Sequence, residues 1–217
     1  MNWVAYGPHA LLFRFAEKVG EEALARQLGI VADLERDPPA GMVEFVPAFT
    51  TILLEFDPKT VPEPKRVADL LARRLASAAQ GRLRAPPVVE IPVRYDGEDL
   101  AVLADRKGMS VEEVQKLHCA PIYKVYMLGF SPGFPYLGDL DPRLHSPRLK
   151  SPRPRVRSGA VAIGGQHTGI YTVDSPGGWN IIGHTPLKIF DPDRKDENMF
   201  RLRPGDRVRF LPAKGAG

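Results

Sequence analysis

Gly129-Phe130-Ser131-Pro132-Gly133 has the Gly-x-Ser-x-Gly spacing that presents a nucleophilic serine on a strand–turn–helix elbow. That chemistry needs a helix after the serine and an oxyanion donor from the next backbone N–H. Pro132 has no N–H and Pro135 discourages a helix, so Ser131 is not read as a nucleophile. The five histidines, His9, His118, His145, His167 and His184, form no His-x-x-x-His pair. A zinc triad from His145, His167 and His184 is conceivable but disfavoured, because histidine pairs with many other groups, and no metal is expected. The single Cys119 forms no internal disulfide and anchors no cysteine-based zinc site. No Gly-x-x-x-x-Gly-Lys-Ser/Thr loop and no dinucleotide fingerprint occurs, so a nucleotide, if used, is not held by a P-loop.

Two other features can do chemistry. Pro142 to Val173 contains no acid and holds Arg143, Arg148, Lys150, Arg153, Arg155 and Arg157, forked and point-charge donors suited to a carboxylate or phosphate. The cations alternate with prolines and no aromatic lies between Tyr136 and Tyr171, which argues against nucleic acid, where stacking platforms are interleaved with charge. A solvated basic surface is the other reading of such a run. The second feature is three glycine-rich stretches: Gly129 to Gly138, Gly164-Gly165-Gln166-His167-Thr168-Gly169-Ile170-Tyr171, and Ser175-Pro176-Gly177-Gly178-Trp179. Glycines let backbone amides approach a ligand. Phe130, Phe134, Tyr136, Tyr171 and Trp179 could line a pocket, with Gln166, His167 and Thr168 orienting polar atoms. Tight barrel turns around core aromatics are the structural alternative.

The elements that must position these residues follow from periodicity. Leu11 to Phe15 reads as a strand, and Gly20 to Asp37 as a helix with Leu24, Leu28, Val31 and Leu34 on one face. Met42 to Val46 and Thr51 to Phe56 read as strands. Pro64 to Ala79 reads as a second helix, with Val67, Leu70, Leu71 and Leu75 inward and Pro64 in its first turn. Val88 to Tyr95 is another strand. Strand, helix, strand, strand, helix, strand is the ferredoxin-like order. Composition shifts at Gly81 to Pro87, which places a domain boundary between 1–85 and 86–217. Two short helices come next, the second opening on a Ser110–Glu113 capping box, and then the strand Tyr123 to Leu128. Short apolar runs follow at Val161–Ile163, Ile170–Val173, Trp179–Ile182, Leu187–Phe190 and Val208–Leu211, divided by turn residues, the pattern of a barrel or sandwich.

The 217 residues are 43% hydrophobic and 26% charged, enough to bury a real core. The 22 prolines disfavour a helical bundle. Residues 1–85 carry 11 basic and 11 acidic side chains and residues 86–217 carry 19 and 15, so the net +4 comes from the second part. The opening Met1 to Phe15 has no features of a cleaved leader and no run approaches a membrane span, so the expectation is a soluble cytoplasmic protein without membrane contact.

Leu117-His118, then Tyr123 through Gly138, Pro152-Arg153, Gly159, Thr168-Gly169-Ile170-Tyr171, Ser175 through Trp179, Gly183-His184-Thr185 and Pro204-Gly205-Asp206 together resemble a known family. It is the 5-oxoprolinase B-subunit family, which includes the kinase inhibitor KipI and is also called allophanate hydrolase subunit 1. The resemblance covers nearly the whole chain and is strongest over 88–212. It implies an α+β architecture, an N-terminal ferredoxin-like domain followed by a C-terminal cyclophilin-like β-barrel. It implies an ATP-dependent hydrolase, with magnesium, that opens the lactam of 5-oxoproline to glutamate together with subunits A and C and is inactive alone. The family also leaves open a KipI-like inhibitor of a sensor histidine kinase and a urea carboxylase or allophanate-pathway component. His167 stands where the family usually has glutamine, with Gln166 as a substitute; Thr172, Arg157 and Leu149 also depart from its pattern.

For a small anionic substrate, the resemblance and the acid-free segment together direct attention to Arg153 and Arg155 as anion ligands, with Arg148 behind them. Backbone amides of Gly164-Gly165 and Gly177-Gly178 would add donors. Thr168, Ser175 and His118 are candidate polar contacts, Arg153, His118 and Thr168 being the candidates for catalysis. Tyr136 and Trp179 would pack on the substrate ring, with Phe134 and Tyr171 nearby. Arg153, Thr168 and Trp179 are expected to share one positively biased hollow.

Overall fold

Ala23, Leu24, Ile30 and Leu34 lie on the buried face of helix α1, Glu21–Arg36, and Ala68, Leu71, Ala72 and Leu75 on that of α2, Lys65–Ala78. The second face is rotated from the expected one: Leu70 is 63% exposed, and the small Ala68 occupies the inward position. Both helices cover one side of a four-stranded antiparallel sheet of β1 (Asn2–Ala5), β2 (Ala10–Arg14), β3 (Met42–Pro47) and β4 (Thr51–Phe56), in the order β1-β2-β4-β3. Leu11, Phe13, Ile52, Leu54 and Phe56 point into that layer. On the opposite face, Val4, Leu12, Leu53 and Val46 stand in register across all four strands.

The computed structural model describes residues 1–61, 63–79 and 86–213, and the chain divides into two units, Met1–Arg84 and Ala85–Gly217. Most of the boundary stretch expected from sequence, residues 81–85, lies outside the described residues. The ferredoxin-like order needs one correction. The strand expected to complete it, β5 (Val88–Val93), pairs in parallel with β13 (Arg207–Pro212) in the second unit. The sheet position beside β2 is filled by β1 through a tight connection at Gly7, whose φ is 78°. A local hairpin closes a far shorter loop than a return from residue 88 would.

In the second unit seven strands form one sheet. They are β5, β6 (Tyr123–Leu128), β7 (Pro135–Gly138), β9 (Ala160–Gly164), β10 (His167–Ile170), β12 (Asn180–His184) and β13, in the order β12-β9-β10-β7-β6-β13-β5. Its two edges nearly close on one another. Arg94, just past β5, exchanges backbone hydrogen bonds of 2.9 and 2.8 Å with His184 of β12, and Asp99 N–H reaches Ile181 O at 3.0 Å. Closure removes open edges. The run Leu187–Phe190 is not a strand; only Phe190 forms a bridge, with Phe200. Helices α3 (Leu100–Lys107) and α4 (Val111–Cys119) pack against β12 and β13. The α4 capping box forms, with Ser110 Oγ accepting from Glu113 N–H at 3.2 Å and Glu113 accepting from Ser110 N–H at 2.7 Å.

Strand alternation makes two cores. Val161 and Ile163 of β9 face the barrel interior with Ile91, Val125, Leu137 and Phe210. Ala160 and Ala162 face outward and are covered by Phe134, Tyr171 and Trp179. A small two-stranded sheet pairs β8 (Arg153–Val156) with β11 (Ser175–Gly177). No helix among the described residues is long and apolar enough to cross a membrane.

Candidate functional site

His118 and Thr168 come together, but in the barrel core. Both are 0% exposed, and His118 Nε2 lies 2.9 Å from Thr168 Oγ1. Thr168 donates its own hydroxyl to Ala162 O at 3.0 Å, so it accepts from the imidazole Nε2–H. That leaves Nδ1 as the acceptor for the Tyr95 hydroxyl at 2.7 Å, and the Tyr95 oxygen lies 3.0 Å from Cys119 Sγ. The imidazole also stacks on Phe210 with ring centroids 4.5 Å apart. Burial pushes its pKa down to about 3, so it is neutral across the physiological range. Burial, reinforced by Cys119, raises the Tyr95 hydroxyl. Every polar atom of this relay is satisfied by its neighbours.

The aromatics assemble on the other side of β9. Small outward residues leave room for large rings: a Cβ at Gly164 would run into the Trp179 indole, and one at Gly177 into the Tyr171 hydroxyl. Phe134, Tyr171 and Trp179, each at most 5% exposed, form the floor of a cavity of about 280 Å³, and Tyr136 stands beside them. Pro152, Pro176, Gly177 and Gly178 complete its border. The rings meet edge to face, Phe134 with Trp179 at 5.4 Å and with Tyr171 at 5.2 Å. Burial raises the Tyr136 and Tyr171 hydroxyls, which remain protonated donors at neutral pH.

Phe130 forms the rim, 62% exposed and edge-on to Phe134 at 5.5 Å. Its φ is 67°, and Ser131 N–H closes on Gly129 O at 2.8 Å. A three-residue turn of positive φ is strained for an aromatic residue, and strain of this kind concentrates at functional sites.

Arg148 is the charged residue of the cavity, its guanidinium 5.9 Å from the Trp179 ring centroid. Its backbone is held on both sides. Asn180, almost fully buried, donates to Pro147 O at 3.0 Å and to Ile163 O at 3.1 Å, and Leu149 N–H reaches Gly178 O at 2.7 Å. No carboxylate among the described residues pairs with Arg148, whereas three other arginines of the acid-free segment are engaged. Arg153 bridges Glu98 at 2.7 Å and Asp99 at 2.6 Å, Arg155 binds Asp174 at 2.5 Å, and Arg143 binds Asp141 at 2.6 Å.

Of Arg153, Thr168 and Trp179, therefore, Trp179 alone lines the cavity. Arg153 stands behind it, 3.4 Å from Trp179 O, and Asp99 also accepts from Ile181 N–H at 2.7 Å. Arg155 is at the surface with Asp174. Gly165 and Gln166 form the exposed turn of the β9–β10 hairpin, and the Gly165 amide is taken by Ser146 O at 2.7 Å. The His167 ring meets Tyr136 at 6.5 Å, and burial lowers its pKa. Ser175 Oγ is buried without a partner among the described residues. Asn180 is not anticipated from sequence, where its one signal is an amide directly after the glycine-rich loop. Phe130 is anticipated only as a pocket aromatic, not as a strained rim.

Comparison with known proteins gives consistent results. The family described as carboxyltransferase domain, subdomain C and D, matches residues 1–200. The 5-oxoprolinase B-subunit of Bacillus subtilis is 38% identical over 217 residues, 94% of this chain and 90% of that protein. The 5-oxoprolinase B-subunit of Escherichia coli O157:H7 is 54% identical over 129 residues, 58% of each chain. Among solved structures, TTHA0988 is 48% identical with a TM-score of 0.83, covering 95% of this chain, which spans 40% of that one. The urea carboxylase of Kluyveromyces lactis shares the fold at 20% identity and a TM-score of 0.77, over 98% of this chain and 22% of that one.

Proposed function

We infer, because the chain belongs to the carboxyltransferase-domain family of subdomains C and D, that it is the B-subunit of an ATP-dependent 5-oxoprolinase acting in the cytoplasm. With partner subunits A and C it converts 5-oxoproline, ATP and water to glutamate, ADP and phosphate. The observation that carries this reading is the likeness to the Bacillus subtilis 5-oxoprolinase B-subunit along 90% of that protein's length. In the same reading, 1–85 and 86–217 are separate domains. The closed sheet is a cyclophilin-like barrel, and the N-terminal unit is a ferredoxin-like sheet with β1 in place of the closing strand.

This polypeptide's contribution is substrate binding at the aromatic cavity. The residues of that cavity supply no nucleophile with an adjacent base, and His118, the buried neutral histidine, is sealed from it. The lactam carbonyl resists water until ATP phosphorylates its oxygen. A Mg-nucleotide's phosphates call for several cationic or N–H donors. The cavity offers one guanidinium, so the nucleotide belongs to the partners. The test is reconstitution: the chain mixed with subunits A and C, following 5-oxoproline-dependent ATP hydrolysis and glutamate release. Turnover that requires this chain supports the reading. Turnover with urea in place of 5-oxoproline, or none together with binding to histidine-kinase dimerisation helices, overturns it.

A further inference from the structure

We propose that the aromatic cavity takes one flat, singly anionic ring, with its carboxylate on Arg148 and its face between Trp179 and Phe130, and that it excludes the open-chain product. This rests on the reading of the cavity as the substrate site. At about 280 Å³ the space suits a metabolite rather than a nucleotide. Its surface is aromatic with a single cation, which matches a ligand that carries one carboxylate on an otherwise neutral ring. Arg148 is set up in advance: Asn180 and Gly178 hold the backbone on either side of it, and no described carboxylate competes for its guanidinium. The backbone is thus fixed, and the ligand has only the exposed Arg148 side chain to order.

The same features reject glutamate. Ring opening converts a neutral lactam into a second carboxylate and an ammonium. The cavity has no acidic residue for the ammonium and no second cation for the new carboxylate among the described residues. Both would lose water against aromatic rings without a partner. Phe130 adds the second face: its exposed ring, held on the strained turn, lies edge-on to Phe134 and 6.3 Å from Tyr171, beside the open side of the cavity.

The experiment titrates the full chain carrying Trp3→Phe, so that Trp179 is its only indole, and follows tryptophan fluorescence. Saturable quenching by 5-oxoproline is expected, with 2-pyrrolidone (no carboxylate) and L-glutamate each weaker by about tenfold or more. Arg148→Gln lowers 5-oxoproline affinity by about tenfold or more while its urea midpoint stays at the parent value. Glutamate binding as tightly as 5-oxoproline, or unchanged affinity in Arg148→Gln, overturns the proposal. So does the absence of saturable quenching; if the reconstituted mixture still turns over, that result removes this inference and leaves the 5-oxoprolinase reading standing. Conversely, selective ring binding by a chain that gives no turnover in the reconstituted mixture and binds histidine-kinase dimerisation helices keeps the inference and removes the reading.

Discussion

Replacing His118 by glutamine separates a structural histidine from a catalytic one. In the native barrel the imidazole is neutral, donates to Thr168 and accepts from Tyr95. A second proton on Nδ1 would face the Tyr95 hydroxyl, whose proton would have to turn toward the Cys119 sulfur, a poor acceptor. The folded pKa is about 3 against 6.5 for the free side chain. Between those values the unfolded chain binds a proton that the folded chain does not. The stabilisation is thus complete above pH 6.5 and is lost as pH falls toward 3. From pH 7 to pH 5 the loss is about 2 kcal/mol, a figure set by the unfolded value and insensitive to the depth of the folded one. Glutamine keeps one donor and one acceptor but loses the stack on Phe210, at a cost of roughly 2–3 kcal/mol at pH 7. With Trp3→Phe in both proteins, urea unfolding followed at Trp179 should therefore show an advantage of the parent over His118→Gln at pH 7 that shrinks by about 2 kcal/mol at pH 5. Carboxylates such as Asp206, raised by burial, and Asp141, held down to about 2 by Arg143, are common to both proteins and cancel in that difference. An equal gap at both pH values would refute the neutral, buried assignment.

Gly164→Ala forces the Trp179 indole off β9, and about 1–3 kcal/mol of overpacking should accompany loss of ring binding in the fluorescence titration. Arg153→Ala leaves the mostly buried Asp99 without its cation and should lower stability in urea unfolding by roughly 1–3 kcal/mol, with 5-oxoproline affinity reduced less than in Arg148→Gln. Phe130→Gly removes a side chain from a positive-φ position, so stability should stay within about 1 kcal/mol of wild type while ligand dissociation accelerates in stopped flow.

Local signals in the sequence are legible where local physics decides. Helices α1 and α2 fall within a residue of their expected bounds, and the Ser110–Glu113 box begins α4 as its residues require. What escapes depends on partners far along the chain. β1 is four residues long and is recognisable only once β2 offers an edge. β7 begins with Pro135 and ends with Gly138, a composition that reads as loop until Val125 and Thr168 pair with Leu137 from either side. β8 is half arginine and reads as surface charge. Periodicity recognises Val88–Val93 as a strand but not which sheet it joins, and its parallel pairing with Arg207–Pro212 carries no local mark.

The ranking of the cations is hidden in sequence for the same reason, and their partners in the structure bear on how the candidate site is made. The acid-free stretch is a property of one segment, whereas neutralisation is a property of space. Arg153 finds Asp99 across 54 residues and Arg155 finds Asp174 across 19. Those pairs turn two apparent anion ligands into struts, one of them bracing the backbone at Trp179. In the proposed site Arg148 is the cation left to a ligand because no described carboxylate reaches its guanidinium, while Asn180 and Gly178 hold the flanking Pro147 and Leu149. The glycines change meaning in parallel: Gly164 and Gly177 serve ring packing, since only a missing Cβ admits Trp179 and Tyr171 at those points. The site therefore arises from aromatic rings seated on the small-residue face of β9 and from a pocket arginine that no described carboxylate neutralises.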